Sequence, residues 1–138
     1  MREILFKAKR KDNGEWVEGF YIKKYDETGK SRHYIYISKS CIVWEYAEVD
    51  ENTICQYTGL TDKNGNKIWE NDVIGYWDTY NTENGLAEAD CIGKVFWDDE
   101  TLSFQVTERL SAESYEVMDE CSVIGNIFDN PELMKEEQ

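Results

Sequence analysis

The sequence predicts a mainly β fold in which an amino-terminal β-meander precedes a small, partly open β-barrel. Turn signals recur at short intervals, and the segments between them are rich in aromatic and β-branched residues, which suit a pleated surface. The length of 138 residues fits one domain and suffices to bury a core. We therefore expect a single domain over residues 1–138, with the meander in 1–50 and the barrel-like part in 53–130.

The elements of the amino-terminal half follow from its turn residues. Asp12-Asn13-Gly14 and Thr28-Gly29 are residue types that favour turns. The segment from 33 to 37, with the sequence HYIYI, has the aromatic and β-branched composition of a strand. The expected strands are residues 3–9, 15–22, 33–37 and 41–46.

The second half is expected to supply the short strands of the barrel. Asn64-Gly65 predicts a tight hairpin turn, because such turns require positive φ. Residues 78–89 are polar and are expected to form a mobile loop, and residues 111–117 a helical turn. Asn130 is expected to cap a short helix that begins at Pro131, where a missing N–H costs nothing. The expected strands are residues 54–58, 68–69, 73–77, 91–97, 102–107 and 122–128.

Charge is the strongest compositional signal. The net charge is −14, and it divides unevenly, with +4 in residues 1–40 and −18 in residues 41–138. An acidic surface repels phosphate backbones and anionic membranes, which disfavours both as partners. Besides colloidal solubility, two interpretations stay open. Either the positive segment of one copy meets the negative segment of another, or the acidic surface imitates nucleic acid toward a host protein.

The cysteines and the amino terminus predict a cytoplasmic protein. The four cysteines are far apart in sequence and form no C-x-x-C motif, so we expect reduced and mostly buried thiols. The amino terminus lacks an apolar core of signal-peptide length, and no apolar run approaches the length of a membrane span.

Four features resemble catalytic or metal sites, and each has a simpler structural interpretation. The stretch that begins at Asp62 lacks the glycine and glutamate of a calcium loop, which leaves a hairpin turn. His33 has no second histidine for a metal site, and no cysteine stands in a nucleophile motif. Asp72 is expected to fix a corner by accepting backbone N–H bonds rather than to act as an acid or base. The acidic tip 98–100 is expected to be a solvated turn, so we predict no catalytic residue, cofactor or metal.

Tyr76, Trp77 and Tyr80 are the candidate contact aromatics. Tyr76 and Trp77 are neighbours on one expected strand and point to opposite faces, so one of them should lie outside the core. Tyrosine and tryptophan are enriched at interfaces because they combine a large apolar area with a polar tip. The residue outside the core either packs under the amino-terminal meander or lies on a contact surface, and the group is a candidate surface for a protein partner.

Three blocks of the sequence resemble the YopX family: the opening residues 1–8, a central block from Gln56 to Val73, and a terminal block from Val123 to Leu133. Asn71 stands where the family usually has glycine, and the corner is expected to survive because asparagine also enters the left-handed region. The matched residues, which we expect to be structural, are Tyr57, Gly59, Leu60, Asp62, Asn64, Gly65, Asp72, Gly125, Asn126 and Pro131.

The resemblance implies a β-rich fold related to SH3-like barrels, an origin in a phage or prophage, and no established catalytic residues to carry over. We therefore predict a non-enzymatic accessory protein of a bacterial host's cytoplasm that acts through protein partners or through self-assembly as a homo-oligomer. The alternative is an acidic nucleic-acid mimic that binds a host nucleic-acid-binding protein. A role in binding nucleic acid would require the basic residues of the first segment on one face.

Overall fold

The chain forms two compact units, Met1–Tyr57 and Thr58–Gln138. The computed structural model describes residues 3–111 and 113–135, with only the backbone at Tyr80. The sequence predicts a single domain whose two parts meet near residues 50–53. The two compact units divide inside a strand, between Tyr57 and Thr58, and the single domain stays a prediction.

The prediction of a mainly β fold is confirmed. The helices of the described residues are two short 3-10 helices, Glu51–Thr53 and Pro131–Met134, and all other regular elements are strands. Within the described residues, no helix has both the length and the apolar character needed to span a membrane.

The first unit contains the antiparallel meander that the sequence predicts. Its strands are β1 (Phe6–Lys9), β2 (Trp16–Tyr25), β3 (Ser31–Ser38), β4 (Trp44–Glu48) and the beginning of β5 (Cys55–Thr61). The order across the sheet is β4-β3-β2-β1-β5, and β5 joins through Phe6↔Gln56 and Lys7↔Cys55. Turns before β2 and β3 place glycines at positive φ, which other residues adopt only with strain.

One face of this sheet builds the core of the first unit. Ala8 on β1, Ile35 on β3 and Val49 after β4 are fully buried and form one cluster. Tyr21 and Ile37 pack against the cluster from the same face. Because side chains alternate along a strand, the residues between them point to the opposite face.

The second unit is an open antiparallel sheet with a preceding hairpin. Its strands are β6 (Lys67–Trp69), β7 (Asp72–Thr82), β8 (Gly85–Asp98), β9 (Ser103–Glu108), β10 (Ser114–Glu116) and β11 (Ser122–Asn126). The continuation of β5 pairs with β6, and the sheet order is β10-β9-β8-β7-β11. Among the described residues the edge strands β10 and β11 do not pair, so this sheet does not close into a barrel.

The core of the second unit lies on one face of this sheet. Ile74 on β7, Val95 on β8 and Val106 on β9 are buried together with Ile68 from β6. Tyr76 packs against the same cluster at its margin and remains only partly buried.

Three local predictions are wrong. The polar residues 78–89 are not a loop, because β7 and β8 pair through them as far as Thr82↔Gly85. Backbone pairing does not require apolar side chains, and composition alone therefore misses such a hairpin. Residues 114–116 form β10 against β9 instead of a helical turn, and residue 112 lies outside the described residues. Asn130 precedes the 3-10 helix, but its side chain makes no cap hydrogen bond, and its Oδ1 accepts the N–H of Asn126 instead (3.3 Å).

Candidate functional site

The outer face of the first unit's sheet carries a continuous patch of aromatic and aliphatic side chains. The register places Phe20 beside Tyr36 and Ile22 beside Tyr34 across β2 and β3, and Tyr36 beside Tyr46 across β3 and β4. All of these side chains point away from the buried cluster. We call this set the aromatic face, and its members are Phe20, Ile22, Tyr34, Tyr36, Trp44 and Tyr46.

The rings of the aromatic face pack on one another at the surface. The ring centroids of Phe20 and Trp44 are 5.8 Å apart, and those of Tyr36 and Tyr46 are 5.4 Å apart with the rings inclined by 23°. Phe20, Trp44 and Tyr46 are nevertheless 51%, 50% and 65% exposed. The first unit therefore leaves a clustered apolar area in water, which is a common mark of an interaction surface.

One ammonium group is held by this face. The Nζ atom of Lys24 lies 5.4 and 5.0 Å from the ring centroids of Tyr34 and Tyr36 and donates to the Tyr36 hydroxyl at 2.5 Å. This hydrogen bond raises the pKa of Lys24. Arg32, at the same end of the sheet, pairs with Glu48 at 3.2 Å. The patch thus combines rings with one cation that rests on them.

The second unit contains two adjoining cavities beside the beginning of β11. The pairing of β11 with β7 extends only as far as Gly75, so that edge of β7 is open beyond this point in the described residues. The cavities have volumes of about 340 and 700 Å³ and share four lining residues, Tyr76, Trp77, Glu120 and Cys121. We call the smaller one the Tyr76 cavity, and its other lining residues are Ile74, Asp78, Val106, Tyr115, Glu116 and Met118.

Three of the polar groups that line these cavities, the Tyr76 hydroxyl and the thiols of Cys91 and Cys121, are uncharged at neutral pH. The Tyr76 hydroxyl is buried and has no hydrogen-bond partner among the described residues. Burial raises the pKa of this hydroxyl well above its usual value, so it remains protonated. Burial also raises the pKa of Cys121 to about 11 and raises that of Cys91. Both sulfurs are therefore thiols at neutral pH and poor nucleophiles.

Asp62 connects the central hairpin to β11. Its Oδ1 atom accepts the backbone N–H groups of Asn64 (2.9 Å) and Asn66 (2.8 Å), and its Oδ2 atom accepts that of Val123 (2.8 Å). Burial alone would raise the pKa of this carboxyl, but the backbone hydrogen bonds outweigh burial and lower it. Gly65 completes the turn with a φ of 84°. Both carboxylate oxygens of Asp62 therefore accept hydrogen bonds from backbone N–H groups.

The corner before β7 is held by two neighbouring residues. The Oδ2 atom of Asp72 accepts the N–H of Trp69 at 2.8 Å, and Asp72 is almost fully buried. Asn71 has a φ of 71°, in the left-handed region. Its N–H donates to the carbonyl of Val95 (2.8 Å), and its own carbonyl accepts the N–H of Ile127 (3.1 Å).

The other central motif residues lie on β5. Tyr57 is buried, and its N–H donates to the carbonyl of Leu5 at 2.8 Å. Gly59 has a φ of 89°, which favours glycine, and Leu60 is at the surface.

The terminal motif residues organise the turn after β11. A Cβ atom on Gly125 would lie 2.5 Å from Asn130 Oδ1, so glycine leaves room for that side chain. The Oδ1 atom of Asn126 accepts the N–H groups of Phe128 (3.0 Å) and Asp129 (2.9 Å).

His33 and the acidic tip 98–100 make local contacts with neighbouring residues. The His33 ring stacks on Tyr21, with Nδ1 2.6 Å from the tyrosine hydroxyl and Nε2 3.0 Å from a carboxylate oxygen of Glu51. In the acidic tip 98–100, Asp98 accepts the backbone N–H of Glu100 as a turn does. The described residues contain no group of three or more metal-ligating side chains.

The predicted contact aromatics occupy different environments. Tyr76 packs at the margin of the core, whereas Trp77 is 63% exposed, as expected for neighbours on one strand. The side chain of Tyr80 lies outside the described residues. A role for these three residues in partner contacts stays a prediction.

Residues 5–135 match the protein family described as YopX protein. The chain belongs to the YopX family. The crystal structure of protein EF1440 from Enterococcus faecalis is similar to this YopX-family chain, with a TM-score of 0.52 and 22% identity over 98% of this chain and 100% of that chain. At this identity the likeness shows the fold alone. The comparison with curated proteins gives no match.

Sequence reasoning misses the aromatic face because it places most aromatic residues in a core. The signal that reveals it is apolar character on both faces of β2, where Phe20 and Ile22 alternate with Tyr21. A strand with two apolar faces needs a cover on each side. Within residues 3–57, the cluster around Ile35 covers one face of β2, and Phe20 on the other face is half exposed.

Proposed function

We propose that this YopX-family protein is a non-enzymatic accessory protein of a phage or prophage that acts through protein contacts made by the aromatic face. The observation that carries the proposal is the exposure of Phe20, Trp44 and Tyr46 in one packed cluster. Tryptophan and tyrosine dominate the binding energy of many interfaces, because their large rings are desolvated on binding.

The geometry of the face supports a preformed contact surface. The rings are already fixed by one another and by the strands beneath them, so binding orders few additional side chains. The ammonium group of Lys24 adds a positive charge beside the rings. Residues 58–138, by contrast, hold 19 acidic and five basic side chains and are strongly negative. Self-assembly through opposite charges is therefore the form of contact to test first.

Size-exclusion chromatography with light scattering measures self-assembly directly. The test compares the native chain, the double variant Trp44→Ser/Tyr46→Ser, and the control Trp77→Ser, which removes an exposed ring of the second unit. We expect a mass above 16.2 kDa for the native chain and the control, and a monomer for the double variant. High salt should weaken the assembly if opposite charges contribute.

A monomer at every salt and protein concentration would exclude self-assembly and leave a heterologous partner. Capture from bacterial lysate, with phage-infected cells as the comparison, then uses the same three proteins. The proposal requires that a captured protein be lost with the double variant and retained with Trp77→Ser. The reverse pattern would assign the contact to the second unit and contradict the role of the aromatic face.

The same capture experiment tests the alternative of an acidic nucleic-acid mimic. The mimic is favoured if the captured protein binds nucleic acid and is displaced by DNA or RNA. That protein should also be captured by the variant Trp44→Ser/Tyr46→Ser.

A further inference from the structure

The Tyr76 cavity combines an apolar wall, aromatic rings and carboxylates. Ile74, Val106 and Met118 contribute the apolar wall, and Tyr76, Trp77 and Tyr115 contribute rings. A volume of about 340 Å³ is within the range of small-molecule sites. A cavity of this kind encloses an organic group better than a hydrated inorganic ion, since hard cations require several converging oxygen atoms.

The charged residues that line this cavity all have the same sign. Among the described lining residues they are Asp78, Glu116 and Glu120, whereas Lys63 and Arg109 line the adjoining larger cavity. Carboxylates together with aromatic rings attract an ammonium or guanidinium group, the first by charge and the second by the ring quadrupole.

The Tyr76 hydroxyl is the second observation that points to a ligand. This group is buried without a partner among the described residues, whereas the hydroxyl of Tyr115 donates to Glu113 at 2.5 Å. A buried hydroxyl without a partner is costly, so whatever fills the adjoining space is expected to bond it. Tyr76 lines the cavity, but its hydroxyl has almost no accessible surface, so the ligand bonds it by displacing a neighbouring side chain.

We infer that the Tyr76 cavity binds a small organic cation, an amine carried on an apolar body. The apolar body lies against Ile74, Val106 and Met118, the cationic group lies among the carboxylates, and the Tyr76 hydroxyl bonds a polar atom of the ligand. This site belongs to the second unit, and it does not depend on the protein contacts proposed for the aromatic face.

The test is a calorimetric titration of the full chain with 2-phenylethylamine and with its neutral analogue 2-phenylethanol. We expect the amine to bind at least about tenfold more tightly, because its charge meets three carboxylates. In the variant Asp78→Asn/Glu116→Gln/Glu120→Gln, the preference for the amine should disappear. The control Asp98→Asn/Asp99→Asn/Glu100→Gln removes the same charge at residues that do not line the cavity and should retain the preference.

Tyr76→Phe removes only the hydroxyl and tests its part separately. We expect about fivefold weaker amine binding together with a melting temperature at least as high as that of the native chain, since an unpartnered group is removed. Equal affinity for amine and alcohol, no binding of either at millimolar concentration, or an unchanged affinity in Tyr76→Phe would overturn the inference. If Tyr76→Phe fails to fold, the comparison of the two charge variants decides the question.

Discussion

Replacing Asp62 with asparagine tests whether one buried carboxylate joins the central hairpin to β11. The substitution conserves the size of the side chain and exchanges one carboxylate oxygen for an NH2 group. The retained oxygen still accepts the N–H groups of Asn64 and Asn66. The N–H of Val123, now 2.8 Å from Oδ2, instead faces a donor and loses its acceptor.

The magnitude follows mainly from the bond to Val123, because the other donor to Oδ2, the side-chain amide of Asn66, lies at a longer distance of 3.4 Å. A hydrogen bond to a charged group contributes about 1.5–3 kcal/mol, and a buried N–H without an acceptor costs about 1–3 kcal/mol. Because Asp62 is only 5% exposed, water does not replace the lost acceptor. Since the two costs overlap, we expect the free energy of unfolding to fall by about 3 kcal/mol. In urea unfolding followed by circular dichroism, this lowers the midpoint by about 1–2 M.

The effect of Asp62 should depend on pH with a definite sign. The folded-state pKa of Asp62 is lowered, so its contribution is complete above the unfolded-state pKa of about 3.9. The contribution is lost as the pH falls from there through the lowered folded-state pKa. The native chain and Asp62→Asn should therefore differ at pH 7 and converge in acid.

Asp26→Asn is the matched control for this prediction. Asp26 makes the same turn bonds, accepting the N–H groups of Thr28 (2.9 Å) and Lys30 (3.0 Å), but it lies in an exposed hairpin. In Asp26→Asn, the side-chain oxygen still accepts the N–H groups of Thr28 and Lys30. The free energy of unfolding should therefore change much less than in Asp62→Asn. An equal loss in the two variants at pH 7, or a difference from the native chain that persists in acid, would refute the reasoning.

Three further predictions concern other parts of the structure. Gly93→Ala should lower the free energy of unfolding by about 2 kcal/mol in urea, because its Cβ would lie 2.9 Å from a backbone carbonyl of β9. Gly75→Ala, whose Cβ meets nothing nearer than 3.8 Å, should have a much smaller effect, and equal losses would contradict the explanation. Leu102→Gly should raise the free energy of unfolding by about 0.5–1 kcal/mol, because Leu102 has a φ of 54°, which glycine adopts without strain. The melting temperature should therefore rise slightly, and a lower melting temperature would refute this explanation. In native protein, a thiol reagent monitored by absorbance should modify Cys41 first, since it is exposed while the other three thiols are buried or half-buried, and simultaneous reaction of all four would contradict the structure.

The predictable part of the fold is the part that local chemistry determines. Asn64-Gly65 and Gly29 indicate their turns because positive φ is a local requirement, and both glycines have a φ of 84°. The meander follows from these turns and from the composition of the strands between them. The hairpin through residues 78–89 escapes prediction because backbone pairing holds polar residues as well as apolar ones.

The candidate sites depend on distant residues and are therefore harder to predict. The Tyr76 cavity is lined from β7, β9 and β10 and from the segment before β11, and no sequence spacing places these together. The aromatic face is easier to predict, because the side chains that form it alternate along β2 and β3 with side chains that face the buried cluster. The sequence does not show that, among the described residues of the first unit, one side of this sheet is buried and the other is exposed.

The residues that match the family motifs differ from the residues whose side chains are available to bind a ligand or a partner. Asp62, Asp72 and Asn126 direct their side-chain oxygens to backbone N–H groups, so they have little capacity left for a ligand. The aromatic face and Tyr76 have the opposite character, with exposed rings in one case and an unpartnered hydroxyl in the other. Substitutions in the first set should therefore act on stability, and substitutions in the second on binding. We therefore propose that the shared motifs serve the fold of the YopX chain, and that side chains outside them carry its molecular role.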